Sequence, residues 1–158
     1  MIAIGLTACN RSANDGEGEQ EKAVVLTAAT LGVQEVQSTA ELLQAPQFQN
    51  ANLKNGASQA QICKACHSLQ AGGPNMIGPA LYGFFGQAAG AAPGFQYSAA
   101  MQDADFIWTP RALDAWLAQP GSFLPGNAMT FAGVFRQSDR DDLIAYLLRE
   151  TDNATGNK

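Results

Sequence analysis

At 158 residues and 46% hydrophobic composition, the chain can build one modest core with extensions, which excludes a pair of large domains. The formal net charge of -5 is concentrated in the N-terminal arm, where residues 1–49 carry six acidic and two basic side chains; residues 50–151 are nearly balanced, with seven and six. With no basic patch to neutralise phosphates, nucleic acid is excluded as a partner, and no stretch reaches the roughly 20 apolar residues of a membrane-spanning helix.

The chain opens on Met1-Ile2-Ala3-Ile4-Gly5 and then Leu6-Thr7-Ala8-Cys9. An aliphatic residue and two small residues before a cysteine look like a bacterial lipobox, with Cys9 as the lipidated residue. The apolar run before it is too short for a complete signal peptide and lacks a basic start, so residues 1–9 read as a signal or lipobox remnant. The competing reading is an unpaired cysteine near a ragged end. Residues 10–22 are polar, acidic and glycine-containing, and residues 23–45 lack a strong amphipathic period apart from some helical promise at Ser38 to Gln44. Residues 10–49 are therefore expected to be a flexible acidic tether, spanning roughly 30–35 Å end to end.

The signals sharpen from residue 50. Asn52 to Ile62 predicts a short helix, with Gly56 and Ala60 one turn apart on a face that another helix can approach closely. It runs into Cys63-Lys64-Ala65-Cys66-His67, and C-x-x-C-H is the attachment signature of a c-type haem. Each cysteine can form a thioether to one haem vinyl group, and the next histidine is carried beneath the iron. A zinc site needs about four ligands, but His67 is the only histidine and Cys9 the only other cysteine. A thioredoxin-like pair would want a strand–helix setting, and none is visible.

Residues 68–107 form a glycine- and proline-rich stretch with scattered aromatics, long enough to be expected to wrap something. Thr109-Pro110 predicts a capped helix to about Ala118, after which Pro120 and Pro125 are expected to enforce extended chain. Ser138 is expected to cap the last helix, with Asp139, Asp141 and Asp142 favoured by its dipole and Leu143, Ile144, Leu147 and Leu148 on its apolar face. No convincing strand appears, so the fold class is all-α, with about three to five helices wrapped around one haem. The cytochrome-type domain is placed at residues 50–151 and a disordered tail at 152–158.

One histidine cannot supply both axial ligands, which leaves Met76, Met101 and Met129 as candidates for the second. A thioether in that position raises the reduction potential by favouring ferrous iron. Met76 follows His67 by only nine residues, whereas Met129 sits in an aperiodic segment between helices and is preferred. Plain core packing is the alternative for any methionine.

The ordered set of motifs resembles the class I c-type cytochromes, of the mitochondrial and bacterial periplasmic kind, over about residues 52–150. Its carriers are Cys63 to His67, Gly78-Pro79-Ala80-Leu81-Tyr82-Gly83, Ala92 to Ser98, Trp108, Pro125-Gly126 with Met129, Phe131-Ala132-Gly133, and Arg140 with Asp142 to Leu147. The resemblance implies one haem c held through Cys63 and Cys66, with His67 and Met129 on the iron. It further implies that the Pro79 carbonyl accepts the second ring N–H of His67. Tyr97 and Trp108 would donate to a buried propionate, and Phe131 would cover the haem edge.

Departures are informative too. Gln87 stands where the family usually has an arginine near the propionates, and Trp116 replaces a tyrosine near the methionine sulfur. Gly121, Ser122 and Ala128 occupy positions where mitochondrial relatives carry lysines, so the lysine ring that steers those carriers is largely absent. A tether replaces steering by raising effective concentration.

The expectation is a non-enzymatic, monomeric one-electron carrier in a bacterial respiratory chain. It would shuttle from a quinol-oxidising cytochrome complex to a terminal oxidase, on the periplasmic side of a membrane through a lipid anchor. A haem subunit dedicated to one dehydrogenase or oxidase, and a ligand-binding or peroxidatic haem protein, are the alternatives.

Overall fold

The structure is a computed structural model and describes residues 26–152. Seven α-helical segments occur among them: α1 (Thr39–Leu42), α2 (Pro46–Gln49), α3 (Leu53–Lys64), α4 (Ala99–Gln102), α5 (Pro110–Ala118), α6 (Pro120–Phe123) and α7 (Gln137–Glu150). Only α3, α5 and α7 exceed a single turn, and the described residues contain no strand beyond one antiparallel bridge between Ala88 and Ile107. The architecture is all-α.

Two of the three long helices, α3 and α5, start where side chains satisfy free N–H groups. Asn52 Oδ1 accepts from the backbone N–H of Lys54 and Asn55 at 3.1 Å each, and Thr109 accepts from Ala112 at 3.2 Å ahead of Pro110. Helix α7 departs from expectation: Ser138 lies inside its first turn, and the Arg136 carbonyl receives the first helical bond, from Arg140. The Arg140 guanidinium, buried among the carbonyls of Val134 and Phe135 (2.9 Å each) and the carboxylate of Asp114 (2.7 Å), ties the chain before α7 to α5. Pro120 also differs from its expected role. It opens the single turn α6, since a proline without an N–H is well suited to a first helical turn.

Helices α3 and α7 make the most extensive contact between elements. Their axes can close because Gly56 has no side chain: a Cβ there would lie 2.2 Å from the Asp142 carbonyl oxygen and 2.8 Å from Tyr146 Cβ. Polar bonds flank the crossing. The Asp142 carboxylate accepts from the Asn52 backbone at 2.6 Å and from Asn55 Nδ2 at 2.8 Å, and Lys64 Nζ donates to the Tyr146 hydroxyl at 2.9 Å. Leu143, Ile144, Leu147 and Leu148 are all buried, the face expected of α7.

The segment before α3 corrects the expected tether. Residues 26–49 do not hang free: Leu31 is only 2% exposed in the core, and Phe48 is buried. Arg111 Nη1 donates to the Leu31 carbonyl at 2.6 Å, and the Ile107 N–H donates to Gln34 Oε1 at 2.5 Å. A Ser38–Glu41 capping box closes α1. These anchors are single apolar or polar residues spaced without period, so they produce no amphipathic signal in the sequence. Residues 10–25 of the expected tether, residues 1–9 with Cys9, and the tail from residue 153 lie outside the described residues.

Gly56→Ala forces α3 off the backbone of α7, and overpacking of this kind costs about 1–3 kcal/mol. Equilibrium denaturant unfolding of the variant should show a lower midpoint with an unchanged slope.

Candidate functional site

The C-terminal end of α3 delivers Cys63, Cys66 and His67 to one wall of a cavity of about 900 Å³. Residues of the 68–107 stretch, α5, and the segment before α7 complete the walls. Among the described residues no lysine, arginine, aspartate or glutamate lines it; its titratable members there are Cys63, Cys66, His67, Tyr82 and Tyr97. A cavity of this size and polarity suits a large, mostly apolar group.

His67 is oriented by two contacts. Its Nδ1–H donates to the Pro79 carbonyl at 2.7 Å, which fixes the tautomer and leaves Nε2 with a lone pair. Gly78 lets the following loop pass against the ring, since a Cβ there would sit 2.2 Å from His67 Cε1. Burial pushes the imidazole pKa below its ordinary value, partly opposed by the bond to Pro79, so the ring is held neutral and able to ligate. Burial raises the Cys63 thiol, so the pocket does not favour a free thiolate there.

The three methionines separate by location. Met76 is 48% exposed and outside the lining, whereas Met101 and Met129 both line the cavity. Met101 is buried on α4, while Met129 is half-buried in the loop before α7. Asn127 shapes that loop: it accepts from the Met129 N–H at 2.9 Å and donates through Nδ2 to the carbonyls of Leu124 (2.8 Å) and Pro120 (3.0 Å). Sequence reasoning passed over Asn127, although an asparagine two residues from a loop methionine is the composition of an Asx turn. It also passed over Asn75, which donates to the Pro93 carbonyl at 3.0 Å and accepts from the Ala80 N–H at 2.9 Å, pinning two parts of the cavity wall together.

Tyr97, Trp108 and Phe131 all line the cavity, as do Pro79 and Gln87. The Tyr97 oxygen accepts from the Ala92 N–H at 3.3 Å, which leaves its own O–H free to donate, and burial raises its pKa. The Trp108 side chain is half-buried. Its ring belongs to an edge-to-face series with Phe106 and Trp116, at centroid separations of 4.8 and 5.5 Å. Trp116, set where the family has a tyrosine, is buried in that series and also borders the cavity.

Fold and site together define a helical domain built around a large, mostly apolar cavity, with one neutral imidazole and two neighbouring thiols on its wall. No family model matches the chain. It is 47% identical over 101 residues to a cytochrome c homolog from Bradyrhizobium diazoefficiens, a match covering 63% of this chain and 55% of that protein. A cytochrome c2 from Agrobacterium tumefaciens is 38% identical over 100 residues (61% of this chain and 90% of that one). A cytochrome c from Kluyveromyces lactis is 33% identical over 103 residues (65% and 94%). The chain belongs to the class I c-type cytochromes. Membership implies a covalently bound haem c, and the donor set present fits that group: two thiols three residues apart, an oriented imidazole and two thioethers on the wall of an uncharged cavity.

Asn127→Ala leaves two carbonyls and the Met129 N–H without their side-chain partner. A loss of roughly 1–3 kcal/mol in unfolding free energy is expected, together with faster amide hydrogen exchange at Met129 than elsewhere in the loop.

Proposed function

We propose that the chain is a one-electron carrier in a bacterial respiratory chain, moving electrons from a quinol-oxidising cytochrome complex to a terminal oxidase. Haem iron supplies a one-electron couple that needs no proton donor or open coordination site from the protein. Cys63 and Cys66 hold the group by thioethers. His67 presents Nε2 to the iron, and Pro79 keeps the ring from rotating by holding Nδ1–H. Met129 supplies the second ligand from the loop that Asn127 shapes, while Met101 packs against the group as part of the core. Tyr97 and Trp108 donate to a carboxylate of the group, and Phe131 shields its edge.

The observation that carries this reading is the pairing of a fixed, neutral His67 with a cavity free of charged side chains. In this reading His67 is taken up as a ligand, and a wall without charged described side chains keeps the surroundings of the couple similar in both oxidation states. That favours electron transfer over ligand activation.

Lipidation at Cys9 would hold the domain at the periplasmic face of a membrane. No described helix is long and apolar enough to cross a membrane. The domain is proposed to act as a monomer. Its near-neutral charge over residues 50–151 supports docking that depends little on long-range steering.

Two measurements check the reading. In the ferrous holoprotein, carbon monoxide should bind slowly or not at all, whereas Met129→Ala should bind it rapidly and show a lower midpoint potential; equal binding by both would remove Met129 from the iron. Intact mass of the protein extracted from native membranes should correspond to a chain beginning at Cys9 with one haem and added acyl groups. A longer lipid-free chain would place an uncleaved membrane helix upstream instead, and a soluble, lipid-free product would remove the anchor.

A further inference from the structure

Residues 31–36 meet the rest of the domain at three points. The Arg111 guanidinium donates to the Leu31 carbonyl at 2.6 Å, and Leu31 itself is buried in the core. The Ile107 N–H donates to Gln34 Oε1 at 2.5 Å. Val36 lies over Gly86, with its Cγ1 3.0 Å from the position a Cβ would take there. Between the first two anchors Gly32 turns the chain at a φ of 70°, and no atom lies within 4 Å of a Cβ placed on it. None of residues 26–49 lines the cavity.

The residues beside those they hold do line it. Gln87, Ala88 and Trp108 are on the cavity wall, and they belong to one short antiparallel pairing. The Trp108 N–H donates to the Gln87 carbonyl at 2.9 Å, the Gly86 N–H to the Trp108 carbonyl at 3.0 Å, and the Ala89 N–H to the Phe106 carbonyl at 2.9 Å. Ile107 stands opposite Ala88 as the pair that exchanges no bond, so its own N–H points away from the partner segment. Two extended segments joined by so few bonds are marginal by themselves, and an N–H left without an acceptor weakens them further. Gln34 supplies that acceptor. The core holds the Trp108 ring through edge-to-face contacts with Phe106 and Trp116, whereas Gln34 holds the backbone next to it.

We infer that residues 31–36 are a positioning strap for the cofactor: through Ile107 and Gly86 they fix Trp108 and Gln87 at the cavity wall, and so tune the reduction potential from outside the cavity. The inference rests on the electron-carrier reading and deepens it, by giving the N-terminal segment a part in setting the couple. In that reading the Trp108 indole N–H donates to a carboxylate of the group. A donor held in place disperses the carboxylate's negative charge, whereas a donor free to move leaves that charge to favour ferric iron. Releasing the strap therefore lowers the potential.

The test is potentiometric titration of the full-length holoprotein, alongside amide hydrogen exchange. Gln34→Met keeps a side chain of similar length but replaces the amide oxygen by a weak acceptor. Gly32→Ala removes no contact and acts only through the backbone, at a φ that disfavours a Cβ. At one fixed solution potential, each variant should show a ferrous-to-ferric ratio about threefold below wild type, with exchange at the Ala89 and Trp108 amides about tenfold faster. Val33→Ser, at a side chain 91% exposed between the anchors, should match wild type in both. A wild-type potential in both Gln34→Met and Gly32→Ala, even with faster exchange or a lower unfolding midpoint, makes the segment purely structural. That result overturns the strap and leaves the carrier reading intact. A fall in potential for Val33→Ser equal to that of Gln34→Met overturns the strap as well. A wild-type holoprotein without a reversible one-electron couple overturns the carrier reading and the strap together.

Discussion

The structure depends on how closely two helices meet. With Gly56 against the Asp142 carbonyl and Tyr146 Cβ, α3 lies almost on the backbone of α7. That contact sets the position of the C-terminal end of α3, and with it Cys63, Cys66 and His67. A helix displaced by the width of one methyl group would move the imidazole relative to Pro79, and the 2.7 Å bond that orients it would be lost. The polar bonds of Asn52 and Asn55 to Asp142 hold the crossing at one end, and the Lys64–Tyr146 pair holds it at the other. Stability and cofactor geometry therefore rest on the same few ångströms of helix–helix contact.

The cavity shows a second constraint. Among the described residues its walls carry no charged side chain, and several of the polar groups that reach it bond backbone partners. Asn75 and Asn127 spend their amides on loop carbonyls and N–H groups, so they stiffen the wall without presenting charge. A buried charge would interact differently with each oxidation state of a bound metal, and its absence limits how much the surroundings must reorganise. Gln87 in place of a cation belongs to the same pattern.

The N-terminal segment changes how the domain is bounded. Residues 26–49 are fastened to the domain by the bonds from the Ile107 N–H to Gln34 and from Arg111 to the Leu31 carbonyl. The domain that carries the site therefore begins well before residue 50, in chain that composition alone marked as tether. Leu31 and Phe48 supply the apolar burial, and two hydrogen bonds satisfy backbone groups that would otherwise face the contact.

Much of this was written in local pattern. C-x-x-C-H, the Thr109-Pro110 start, the Ser38–Glu41 box and the apolar stripe of α7 each arise from interactions within a few residues, so sequence determined them by itself. Having only one histidine, it also excluded a second histidine of this chain from the iron. What the tertiary structure alone decided involves partners far apart in the chain. Arg140 reaches Asp114 and the Val134–Phe135 carbonyls and moves the start of α7 ahead of Ser138. Arg111 and Gln34 fasten a segment with no period of its own, and Met76 is turned outward while Met101 and Met129 reach the cavity. A period can reveal a face that many residues share, but a contact made by one residue with a distant carbonyl exists only once the chain has folded.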